Sequence, residues 1–98
     1  MSYTLIVRKL AEQDIDKGYQ WYEERREGLG EEFLLCIDAC LNMIVRNPFI
    51  YQIRSDSIRL GLVERFPYGI FYKIAQDKVI ILAAIYLGRN PVIIKKRK

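Results

Sequence analysis

Histidine is missing from the 98-residue chain, and cysteine occurs only twice. Without histidine the usual general base of enzyme catalysis is gone, so any chemistry must run on Arg, Lys, Tyr, Asp or Glu. The two thiols, Cys36 and Cys40, are too few to hold zinc without a histidine partner. They stand one helical turn apart, a poor arrangement for a disulfide, and read as two small buried hydrophobes of a reducing compartment. Long apolar runs are missing too: the longest, Val79 to Leu87, has nine residues, about half of what a membrane-spanning helix needs. The N-terminus lacks a charged segment followed by an apolar one, the mark of a secretory leader. The expectation is a cytoplasmic chain that needs no membrane, metal or cofactor. Neither repeats nor low-complexity tracts break the sequence, so residues 1–98 are expected to form one domain. With 51% hydrophobic residues, a chain of this length should collapse to a radius of gyration of roughly 13 Å. That is enough for one shared core but not for a deep cavity, which places function on a surface or shallow cleft.

Charge is present, but unevenly. The net +4 divides into +2 over residues 1–9, −6 over 10–45 and +8 over 46–98. Four of the bases are the consecutive Lys95, Lys96, Arg97 and Lys98; the other 94 residues are neutral in sum. A bipolar chain of this kind offers a basic face to an acidic partner, whether protein or nucleic acid, although solvated surfaces also produce such splits. The tail from Val92 to Lys98 either contacts nucleic acid or frays in solvent.

Hydrophobic periodicity orders the elements. Tyr3, Leu5 and Val7 alternate with Thr4, Ile6 and Arg8, an opening strand with apolar residues on both sides, hence expected inside a sheet. Ala11, Ile15, Gly18, Tyr19 and Tyr22 form the stripe of an amphipathic helix over about residues 11–27, ended by Gly28-Leu29-Gly30. Phe33, Ile37, Cys40, Leu41, Ile44 and Val45 mark a second helix over about 30–47, stopped by Asn47-Pro48. An irregular stretch is expected from Phe49 to Asp56. Ile58, Leu60, Leu62 and Phe66 then alternate with Arg59, Gly61, Val63 and Arg65, a strand with one buried and one basic side. Pro67-Tyr68-Gly69 turns into a strand from Ile70 to Ala75, and Val79 to Leu87, apolar on both faces, reads as the central strand. The order β-α-α-β-β-β is an α+β fold: a helical hairpin packed on a small, mostly antiparallel sheet.

Trp21 and Tyr22 are expected to bury large area where helix meets helix or sheet. Arg59 and Arg65, an even number of residues apart, should share one strand face, with Tyr72 or Lys73 alongside depending on register. Their planar forks suit phosphate or carboxylate; the alternative is salt bridging to Glu64, Asp56 or the acidic helices. Arg89 is either a strand-end brace or part of a functional cluster.

At this point the chain resembles the RelE/ParE superfamily of toxins from type II toxin–antitoxin modules, most closely the ParE-like branch. The residues that carry the resemblance are Trp21-Tyr22-Glu23-Glu24, Gly28-Leu29-Gly30, Phe33-Leu34 with Ile37-Asp38, Asn47-Pro48, Arg65-Phe66-Pro67-Tyr68-Gly69-Ile70-Phe71-Tyr72 and Arg89-Asn90-Pro91. It implies a cognate antitoxin, encoded next to the toxin gene and assembling with it into a hetero-oligomer. It also implies one of three activities. RelE-like toxins cleave messenger RNA on the ribosome with lysines, arginines and a tyrosine; here Arg65, Tyr72 and Arg89 would be the catalytic candidates. Leu60 and Leu62, however, stand at the two strand positions that hold lysines there, and Gly69 follows Tyr68 where an arginine is expected. ParE-like toxins instead inhibit DNA gyrase by binding; Arg59, Arg65, Arg89, Lys95, Lys96, Arg97 and Lys98 would then face the target, although Tyr86 occupies a position where many relatives have histidine. A third possibility is a non-toxic member that only binds antitoxin.

Overall fold

The apolar period of the first half folds into two helices. The structure, a computed structural model, describes residues 2–87. The strand β1 (Thr4–Val7) runs into α1 (Lys9–Arg25), which is joined by three residues to α2 (Leu29–Arg46). The joint is built from one carboxylate. Glu23 in the last turn of α1 accepts the backbone N–H of Gly28 at 3.0 Å through Oε2 and that of Gly30 at 2.9 Å through Oε1. Two donors that the start of α2 would leave unpaired are thereby satisfied. Gly28 turns the chain at φ +88°, a conformation glycine adopts without steric cost. Gly30 is required for space, since a Cβ there would stand 2.7 Å from the Tyr19 ring.

The sheet follows as β2 (Ile53–Ser55), β3 (Ile58–Leu62), β4 (Tyr68–Ala75) and β5 (Lys78–Tyr86). Its spatial order is β1-β5-β4-β3-β2. β1 runs parallel to β5, pairing Thr4 with Lys78 and Val7 with Ile81, and the other neighbours are antiparallel. β5 is interior, as its two apolar faces require. The core between helices and sheet holds Phe33, Ile37, Ile44, Ile70, Tyr72, Val79 and Ile81. A second cluster of Ile58, Leu82, Ala83 and Ile85 lies on the opposite face. Tyr22, Phe33, Phe66 and Tyr68 interlock at the hairpin end of the core, with ring centroids 4.8 to 6.2 Å apart. The chain's radius of gyration is 13.0 Å.

Four sequence-based expectations are corrected. β1 is an edge strand, not an interior one: Leu5 and Val7 pack on the core while Thr4 and Ile6 are exposed, so its second apolar side is surface. The stretch expected to be irregular contains β2, which returns through a tight turn where Asp56 and Ser57 adopt φ of 48° and 68°. Such turns favour Asn or Asp followed by glycine, and here Ser57 stands in the glycine position. In β3 the expected division into one buried and one basic side does not hold: Ile58 is buried on one face and Gly61 on the other. Gly61 faces α2, where a Cβ would be 2.9 Å from Ile44 Cδ1, and Arg59 lies on that same side, opposite Tyr72. Leu62 is 54% exposed. Trp21 is half exposed, and Tyr22 alone of the pair enters the core.

Candidate functional site

The residues singled out by sequence fall into two neighbouring places. In the first, register sets Arg59 directly across from Tyr72. The Arg59 guanidinium donates to the carbonyl of Tyr51 at 2.6 Å and lies 5.0 Å from the centre of the Phe49 ring. Tyr72 is fully buried and its hydroxyl donates to the carbonyl of Pro48 at 2.7 Å. Burial outweighs the neighbouring arginine charge and pushes the phenol up to about 12. It holds its proton at neutral pH. Arg59 and Tyr72 thus tie the segment after α2 onto the sheet.

The second place is a cleft of about 220 Å³ between α2 and β3. Leu35, Cys36, Ala39, Cys40 and Met43 form its helical wall, and Tyr51, Leu62, Glu64 and Arg65 the other. The helical wall is a second apolar stripe beside the one that enters the core, which is why the periodicity of α2 reads as a single broad face. Leu35, Met43 and Leu62 are all exposed. Cys40, at the cleft floor, directs its thiol to the carbonyl of Leu62 at 3.7 Å, and burial pushes that thiol up to about 11.

Arg65 stands at one end of the cleft. Sequence spacing placed it beside Arg59 on a strand face, but β3 ends at Leu62 and the chain leaves it, with Arg65 at φ +72°. The side chain reaches α2 and donates to Glu32 Oε1 at 2.8 Å, while Arg26 donates to Glu32 Oε2 at 2.9 Å. The two arginines draw the Glu32 carboxyl below its usual range. The alternative of a bridge to the acidic helices is therefore what forms. The joining of Glu32 to Arg65 is not legible in the sequence, because the two lie 33 residues apart. Arg89, Lys95, Lys96, Arg97 and Lys98 lie outside the described residues. Among the described residues no cluster of three or more potential ligands for a metal ion is present, and no helix is long and apolar enough to cross a membrane.

A family described as the ParE toxin of the type II toxin–antitoxin system parDE matches residues 5–90. The chain belongs to this ParE toxin family. Two solved structures share its fold. A chain of the chromosomal ParDE toxin–antitoxin system from P. aeruginosa superposes with a TM-score of 0.68 at 17% identity, covering 88% of this chain and 97% of that one. A chain of the toxin–antitoxin complex RelBE2 from Mycobacterium tuberculosis gives 0.60 at 15% identity, covering 88% and 92%. No curated protein matches the sequence. The α+β hairpin-on-sheet architecture is thus that of the ParE and RelE toxins. The Glu23 clamp explains why Trp-Tyr-Glu-Glu and Gly-Leu-Gly stand together in this chain: the carboxylate of one motif holds the backbone of the other.

Proposed function

We propose that the chain is a cytoplasmic toxin that inhibits DNA gyrase by binding it, and that a cognate antitoxin neutralises it by seating apolar side chains in the cleft between α2 and β3. The observation that supports binding over RNA cleavage is the commitment of Tyr72. Cleavage through the 2′-hydroxyl needs groups that take and give protons at the scissile phosphate. The Tyr72 hydroxyl is buried and spent on Pro48, and Arg59 is spent on Tyr51. Leu60, Leu62 and Gly69 occupy positions where RelE-like toxins carry cations, and each missing electrostatic donor removes roughly 3 to 4 kcal/mol of transition-state stabilisation. Binding demands only a complementary surface, which the basic half of the chain supplies. The cleft supports the antitoxin reading because Leu35, Met43 and Leu62 leave an apolar strip in water beside charged ends.

Induced expression with and without the adjacent open reading frame tests the module. Growth arrest relieved by co-expression is expected, with intact messenger RNA in the arrested cells. Ribosome-dependent cuts in messenger RNA would transfer the assignment to the nuclease reading.

A further inference from the structure

The Arg26–Glu32–Arg65 group has an arrangement that packing does not require. Each oxygen of one carboxylate is taken by a different guanidinium, at 2.9 and 2.8 Å, so two positive charges share one negative charge. Both arginine side chains are mostly exposed, and exposed ion pairs of this kind are held loosely. Each contact uses only an Nη2 atom, which leaves most of the N–H donors of each fork available to a second oxyanion. Arg65 also lines the cleft, in a left-handed backbone conformation uncommon for a residue with a side chain. The other charged residue lining the cleft is Glu64, the neighbour of Arg65 in the chain.

We propose that Arg26 and Arg65 form a carboxylate-exchange site at the end of the cleft: Glu32 occupies it in the free chain, and an acidic side chain of the bound antitoxin segment takes over Arg65. This rests on the reading that the antitoxin occupies the cleft. A protein carboxylate is favoured over a nucleic-acid phosphate because Arg65 adjoins a groove lined by Leu35, Met43 and Leu62, with Arg65 its one cation among the described residues and Glu64 beside it, a lining that seats Leu- or Val-like side chains and offers a polyanionic backbone no run of positive charge. Charge complementarity also sets the pattern of the occupant: an acid near Arg65 and apolar residues along Leu35 and Leu62.

The test is titration calorimetry of the full chain with the purified product of the adjacent open reading frame, at low and at moderate salt. Arg65→Gln should weaken binding about tenfold and flatten its salt dependence. Glu32→Gln should strengthen binding about threefold to tenfold, because the internal competitor is gone, and the double variant should lose that gain. Melting temperatures close to the parent's would show that these surface changes leave the fold intact. A merely structural triad would make Glu32→Gln weaker or neutral, and either result overturns the exchange. Leu62→Glu separates the two levels. If it abolishes binding while the Arg65 and Glu32 variants behave like the parent, the antitoxin lies in the cleft and the exchange is wrong. If Leu62→Glu has no effect, the cleft reading itself falls.

Discussion

Replacing Tyr72 by Phe removes one oxygen and nothing else. The ring keeps its place opposite Arg59 and within the core, so no cavity opens. What disappears is the 2.7 Å bond to the Pro48 carbonyl, a buried contact that fixes the chain leaving α2 against β4. A neutral hydrogen bond contributes about 1 kcal/mol, and a buried acceptor left unpaired costs about 1 to 3 kcal/mol. Urea unfolding should therefore show a loss in that range with an unchanged m-value, and the melting temperature should fall by roughly 4 to 8 °C per kcal/mol for a domain of this size. A pH readout accompanies it. The folded phenol titrates at about 12 against an ordinary 10.0, so the folded state holds the proton more tightly. Its contribution is complete below pH 10 and is lost as pH climbs to 12. Without the phenol that loss vanishes, and the gap between parent and variant should narrow above pH 10. Growth inhibition per folded molecule should be unchanged. If Tyr72→Phe kept full stability while abolishing toxicity, the hydroxyl would be touching the target and its structural assignment would be wrong.

Glu23→Ala should destabilise the hairpin by about 1 to 3 kcal/mol, since two backbone donors lose their acceptor, and Glu23→Gln by less because one oxygen remains; chemical denaturation measures both. The Cys40 thiol, raised from an ordinary 9.0 to about 11, adds stability that is present below pH 9 and lost as pH rises to 11, so the stability gap between the parent and Cys40→Ala in urea unfolding should narrow between those pH values. Under native conditions at pH 8, thiol alkylation followed by mass spectrometry should modify Cys36 first, with Cys40 reacting only on unfolding. Removing residues 92–98 deletes all the net positive charge; growth inhibition should be lost while calorimetric antitoxin binding stays largely intact.

The hairpin was legible because its stripes repeat over seventeen and eighteen residues, long enough for the 3.6 period to outweigh local accidents. The interior place of β5, second in the sheet beside the central β4, followed from an apolar run with no polar side to turn to water. Short elements carried less information. β1 has four residues and β2 three, and alternation over so few positions does not tell an edge from an interior strand. β3 misled because Gly61 has no side chain to announce that it faces the helix, while the guanidinium of Arg59 lies over the Phe49 ring and donates to the Tyr51 carbonyl. The charged end of the cleft was illegible for a different reason. Glu32 and Arg65 are brought together by the path of the chain after β3, and no local pattern records a contact between residues so far apart in sequence. The family resemblance supplied what periodicity lacked, namely that these elements form one known arrangement.

The central claim, that this fold acts by binding gyrase, is tested most directly by supercoiling of relaxed plasmid with purified gyrase and a micromolar excess of the chain. The account predicts that supercoiling stops, that cleaved plasmid accumulates, and that the product of the adjacent open reading frame restores activity. Undiminished supercoiling at that excess, by protein that cleaves ribosome-bound messenger at catalytic rates, would contradict it.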